Sequence, residues 1–179
     1  MTPIVNRAHF LDRNTVQFTR KFTSSIDKAW QAISAKKELE QWFMPTEIDL
    51  KVGGRYTFPN GWDGWIGEFS PFGHIQFNTS DNSFTRFEII KDKTSVQFNL
   101  IDKLKPEMPL PKDLPPVKGI PNQIIQNQPG GIGTHWTGII AGWHCYVDAL
   151  DTHLTGFSPP LSYIDLCYAY NSFLDNHWQ

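Results

Sequence analysis

The sequence predicts an α+β domain, a curved antiparallel sheet of about six strands wrapped around one long C-terminal helix, with two short helices after the first strand. Three observations carry this. Short period-two segments repeat from Glu47 to Leu104. Helical periodicity takes over from Thr137 to Leu154. The chain also holds 13 Phe, 7 Trp and 5 Tyr in 179 residues, so the dominant demand is aromatic surface to bury.

The elements follow in order. Residues 1–12 form a weakly specified lead-in. Thr15 to Phe22 alternates, with Val16, Phe18 and Phe22 on one face and Gln17, Thr19 and Lys21 on the other, which predicts a half-buried strand. Ser24 with Asp27 three residues on approximates a capping box, so a helix is expected there, its apolar stripe made by Ile26, Ala29, Trp30 and Ile33. A second short helix fits Lys36 to Phe43, stopped by Pro45. Strands are then expected near 47–58, 62–70, 72–79, 83–91 and 94–104. Gly53-Gly54, Asn60-Gly61, Pro71 with Gly73, Asp81-Asn82 and Asp92-Lys93 punctuate them as turns.

Lys105 to Gly131 contains seven of the 13 prolines and no clear period, the mark of a linker or of a functional loop or lid. The long helix presents Ile139, Trp143, Tyr146, Val147, Leu150 and Leu154 as one stripe, and Gly156 suits the position after its end. The expected division is one domain over 1–156, with 105–131 as a proline-rich insertion or lid. An extension over 157–179 follows, helical within Leu161 to Leu174 and packed on the domain.

Composition excludes several classes. Apolar residues at 40% and charged residues at 19% describe a globular chain rather than a disordered one. Sixteen basic against 18 acidic side chains give a net charge of -2, so no basic field favours nucleic acid or an anionic membrane. Cys145 and Cys167 are too few for a disulfide framework, which points to a reducing, cytoplasmic compartment. Residues 1–15 hold no long apolar core, which argues against a secretory signal peptide. Gly130 to Val147 lacks Lys, Arg, Asp and Glu, yet its five glycines and two histidines argue against a membrane span.

Several runs carry a resemblance: Thr19-Arg20-Lys21-Phe22, Ala29-Trp30, Trp42-Phe43-Met44-Pro45, Gly53-Gly54-Arg55-Tyr56, Gly67-Glu68-Phe69, and Gly142-Trp143 with Leu150. In order and spacing they resemble the START-like (SRPBCC) superfamily, and within it the activator of heat-shock-protein-90 ATPase homologue-like group, over residues 15–104 and 134–156. The resemblance implies a helix-grip fold with a cavity between the long helix and the sheet. It does not imply one chemistry, because the superfamily holds lipid and hormone binders, cyclases and co-chaperone domains.

Candidate cavity residues are Trp30, Trp42, Phe43, Tyr56, Phe58, Trp65, Phe69, Phe87, Phe98, Trp143 and Tyr146, which together with Phe77 are expected to face inward. Arg20 joins them, because alternation puts it on the side of Val16 and Phe18. A guanidinium there binds a ligand anion, or snorkels from a bulge or rim into a salt bridge. Glu68, Arg86 and Glu88 fall opposite the apolar face and read as an exposed cross-strand ion-pair ladder. The histidines show no metal spacing, and no nucleophile motif occurs, so neither a metal, a cofactor nor a catalytic set is expected. His144 comes near the cavity or is simply a capped or solvated histidine. The first functional reading is a binder of a small hydrophobic molecule. The alternatives are a cyclase- or hydratase-type enzyme, and an interaction module that is chaperone-associated or dimerises through its C-terminal extension.

Overall fold

The computed structural model describes residues 4, 6–12, 14–59, 61–103, 133–157 and 159–177. The chain runs β1 (His9–Phe10), β2 (Thr15–Phe22), α1 (Ile26–Ser34), α2 (Lys36–Trp42), β3 (Glu47–Ile48), β4 (Arg55–Thr57), β5 (Asp63–Ser70), β6 (His74–Asn78), β7 (Phe84–Asp92), β8 (Ser95–Lys103), α3 (Gly133–Thr155) and α4 (Tyr163–His177). The eight strands form one antiparallel sheet in the order β1-β2-β8-β7-β6-β5-β4-β3. This is the helix-grip α+β fold. The proline-rich stretch 105–131, read as an insertion or lid, lies outside the described residues.

Alternation decides the inner face. Val16, Phe18, Arg20 and Phe22 of β2 are buried, as are Val96, Phe98, Leu100 and Asp102 of β8. Thr85, Phe87 and Ile89 of β7, Ile75 and Phe77 of β6, Ile66 of β5 and Tyr56 of β4 extend the same surface. α3 covers it from β2, and α1 and α2 pack beside α3. Ile140, Trp143, Val147, Leu150 and Leu154 of α3 are buried, while Ile139 and Tyr146 flank the stripe half-buried. α3 ends at Thr155, where Gly156 adopts φ +78° and its N–H bonds Thr152 O at 2.9 Å.

Four expectations need correction. The sheet has eight strands rather than six. One addition is β1, within the supposed lead-in, whose His9 and Phe10 pair with Gln17 and Val16. The other arises because 47–58 is not one strand. Residues 49–54 fold back on themselves, with Lys51 N–H on Asp49 O and Gly54 N–H on Lys51 O, both at 2.8 Å. Gly53 sits at φ +80°, and a Cβ on Gly54 would lie 1.9 Å from Asp49 O, so the glycine pair is the turn between β3 and β4.

The cap of α1 is Ser25, not Ser24: its backbone is extended and its Oγ accepts from Lys28 N–H at 3.2 Å. Finally, β5 contains a bulge between Ile66 and Glu68. Simple alternation from Trp65 fails there, because one extra residue shifts the register.

Candidate functional site

Aromatic rings crowd the space between sheet and α3, and Phe43 is their hub. It sits at the end of α2, where the chain leaves the helix. Its ring centroid lies 4.7 Å from Tyr146, 5.1 Å from Phe58, 5.6 Å from Phe87 and 5.8 Å from Trp143. Trp42 stands 5.4 Å away and is fixed by its indole N–H on Ala32 O at 2.8 Å. Phe77 lies 5.2 Å from both Phe87 and Tyr56, and Phe98 5.9 Å from Phe87. The Tyr56 hydroxyl donates to Asn78 O at 3.1 Å. Most contacts are edge-to-face or tilted, the arrangement ring quadrupoles favour. Trp62 was missed from sequence, though it belongs here: it stacks on Phe58 at 4.7 Å and meets Trp143 at 5.8 Å.

Three sequence candidates fall elsewhere. Trp65 is a correction: it is 36% exposed and points out of the sheet, because Ile66 takes the inward position in β5. Trp30 and Phe69 are half-buried and meet each other at 6.0 Å, with Phe72 5.7 Å from Trp30. Among the described residues this trio makes no ring contact with the Phe43 group. Phe69 faces inward only because the bulge restores it to that side.

Two polar centres interrupt the apolar interior. The first is Asp102, fully buried near the end of β8. Thr85 Oγ1 donates to its Oδ1 at 2.6 Å and Trp143 Nε1 donates to its Oδ2 at 2.9 Å. Among the described residues no cation pairs with it. Burial pushes its carboxyl up to about 6, against the pull of those two hydrogen bonds.

The second centre is built on Arg20. β2 and β8 pair without a bulge, so the side chain is inside rather than at a rim, and only 3% exposed. Its guanidinium bonds Asp148 Oδ1 at 2.7 Å, Asn6 O at 2.9 Å and Thr19 O at 3.1 Å. Its Nε has no hydrogen-bond partner among the described residues. Burial raises the Asp148 carboxyl while the Arg20 hydrogen bond and charge pull it down. His144, one turn earlier, lies 3.5 Å from Asp148 Oδ2 and 2.7 Å from the Tyr170 hydroxyl of α4. That hydroxyl also accepts from Ala8 N–H at 2.9 Å, so it joins His144 Nδ1 to the segment before β1, while Nε2 faces Asp148. Burial, then the Arg20 charge, hold His144 down at about 3, so it is neutral.

The outer sheet face is polar. Arg86 pairs with Glu68 at 2.7 Å and also donates to Gln76 Oε1. Glu88 accepts from Asn99 Nδ2 at 2.8 Å. These are surface ties, not an acid–base pair. Burial pushes the Cys145 thiol up to about 11, away from the thiolate. His153 bonds Glu38 at 2.8 Å. Among the described residues no three His, Cys, Asp or Glu are grouped to hold a metal ion, and no helix is long and apolar enough to cross a membrane.

A 540 Å³ pocket opens where α2, α3 and the α3–α4 connection meet, lined by Gln41, Cys145, Asp148, Ala149, Thr152, His153, Pro159 and Leu161. Another, of 500 Å³, lies between the start of α1 and the β7–β8 turn.

The family described as "Activator of Hsp90 ATPase homolog 1-like protein" matches residues 23–155, most of the chain. The chain belongs to this family. Among curated proteins no sequence relative matches. Solved structures agree in fold. CalU16 from Micromonospora echinospora is 12% identical, with a TM-score of 0.63 over 90% of this chain and 86% of that one. EF2215 from Enterococcus faecalis, a conserved protein of unknown function, is 18% identical, with a TM-score of 0.64 over 94% and 91%. DynU16, a protein of the dynemicin biosynthetic locus, is 15% identical with a TM-score of 0.58. There the match spans 81% of this chain and about half, 49%, of the other. Identities this low carry the fold and not the chemistry.

Sequence reasoning missed Asp102, Asp148 and Tyr170. Asp102 had a signal: Val96, Phe98, Leu100 and Asp102 share one parity. Asp148 lies four residues after His144 on the buried arc, but only its meeting with Arg20 gives it meaning.

Proposed function

We propose that the chain binds a small hydrophobic molecule between the sheet and α3, among Trp42, Phe43, Tyr56, Phe58, Phe87, Phe98, Trp143 and Tyr146. The observation that carries this reading is a buried carboxylate, Asp102, set in an aromatic interior with no described cation beside it. A core that serves packing alone loses free energy by holding such a group. A ligand pocket, by contrast, combines an apolar lining with a few placed polar groups. The connection 105–131 joins β8 to α3 and is proposed as a cover for one mouth of the site; Arg20 is proposed as a structural anchor, its charge answered by Asp148.

The test is binding of an apolar fluorescent dye to the wild-type chain, to Tyr146→Ala and to a variant shortened within 105–131, each first shown to be folded. Tyr146 is half-buried beside Phe43, so its loss opens the site with little cost to the core. Changed affinity in both variants supports the reading. Equal affinity in all three rejects site and cover together.

A second reading, a cyclase- or hydratase-type enzyme, is favoured by the same carboxyl, since an interior acid that titrates at about 6 suits general acid–base work near neutrality. Mass spectrometry of small molecules co-purifying with the chain, before and after incubation, separates the two: a binder returns its ligand unchanged.

A further inference from the structure

We propose that Asp102 selects ligands that carry a protonated amine on an aromatic or polycyclic body. The inference rests on the ligand-binding reading above and names the ligand class.

The geometry fits an ionised carboxylate. Trp143 Nε1 is a donor only, so Oδ2 accepts from it at 2.9 Å, and Oδ1 accepts from the Thr85 hydroxyl at 2.6 Å. The indole fixes Oδ2 as an acceptor in either protonation state, and the Thr85 hydroxyl is the one described group that could take a proton from Oδ1. An ionised carboxylate takes about four hydrogen bonds, and the described residues make two. The remaining lone pairs and the uncompensated negative charge are what a ligand ammonium satisfies. Among the described residues no charge faces Asp102: β2 offers Val16 in register, β7 offers Thr85 and α3 offers Trp143.

The aromatic surroundings favour the same class. The Trp143 ring that holds Asp102 also meets Phe43, Trp62, Phe87 and Tyr146 at 5.8–6.5 Å. Ring faces attract a cation and accept an aromatic body. An anionic ligand meets the opposite condition, since it would place like charges together where water does not screen them. The buried guanidinium of Arg20 does not reverse this, because Asp148 already occupies it at 2.7 Å.

The probes are 2-(naphthalen-1-yl)ethylamine and its neutral counterpart 2-(naphthalen-1-yl)ethanol, titrated calorimetrically into the full chain at pH 7.5. The proteins are wild type, Asp102→Asn and, as a control on the outer sheet face, Glu88→Gln. Wild type and Glu88→Gln are expected to prefer the amine by about tenfold or more, the scale of a hydrogen bond to a charged group. In Asp102→Asn that preference disappears while alcohol affinity holds.

Wild type serves as its own control should the variant not fold. Lowering the pH through about 6 protonates Asp102 and erases the preference, while the amine keeps its charge. Equal binding of both probes to wild type, or a preference that survives in Asp102→Asn or at low pH, overturns the inference and leaves the ligand reading standing. Binding of neither probe rejects the ligand reading and the inference with it.

Discussion

Asp102 and His144 titrate in opposite senses, and their difference is measurable. Burial raises the Asp102 carboxyl from 3.8 to about 6. The folded chain therefore binds this proton more tightly than the unfolded chain, and stability from this group falls as pH rises from about 4 to about 6, then levels. The loss is about 3 kcal/mol at most. His144 is lowered from 6.5 to about 3. Its contribution is complete above about 6.5 and is lost as pH falls towards 3, because the unfolded chain takes up the proton first. Denaturant unfolding of Asp102→Asn from pH 4 to 7 is expected to show a growing gain relative to wild type. A pH-independent difference would contradict a buried, ionising carboxyl. His144→Gln is expected to flatten the loss of stability below pH 6.5 in the same assay. Of these two residues, Asp102 carried a strand-parity signal that sequence reasoning passed over. The state of His144 depends on burial and on Arg20, a residue of β2 that no local pattern connects to it.

Among the elements, glycines separate what a pattern reveals from what it hides. Gly53-Gly54 announced a turn correctly, but period two continued across it and disguised two short strands as one. The bulge in β5 was invisible, because Gly67 has no side chain to break the alternation. It displaced the expected position of Trp65 while leaving Phe69 inward. The same residues yield a contrast. A Cβ on Gly64 would meet Asn78 O at 1.9 Å, so Gly64→Ala is expected to destabilise by about 3 kcal/mol or more. A Cβ on Gly142, inside α3, meets nothing within 4 Å. Gly142→Ala is therefore expected to stabilise by up to about 1 kcal/mol, the helix-propensity difference. Thermal unfolding of both variants checks the pair, and a shift of equal sign in both would refute the packing argument.

At the scale of the whole molecule, element order was legible because a one-sided sheet needs an apolar cover and the long C-terminal helix is the element large enough to supply most of it. A helical extension packed on the domain was expected as well, but not the residues that attach it. α4 starts at a Ser162–Asp165 capping box and buries Leu166, Cys167, Ala169 and Tyr170, while Ile164 and Tyr168 stay exposed one turn apart. Removing residues 157–179 deprives Ala8 N–H and His144 Nδ1 of their shared partner and uncovers apolar surface. A lower melting temperature is expected by calorimetry, and sedimentation shows whether the exposed pair also joins two copies. Unchanged values for both would remove any structural role for this segment. The Tyr170 hydroxyl has one more consequence. It clasps a backbone amide near the start of the chain to a helix near its end, 162 positions apart. The deuterium-exchange rate of the single Ala8 amide therefore times the release of α4, and one early peptide becomes a clock for motion at the opposite terminus.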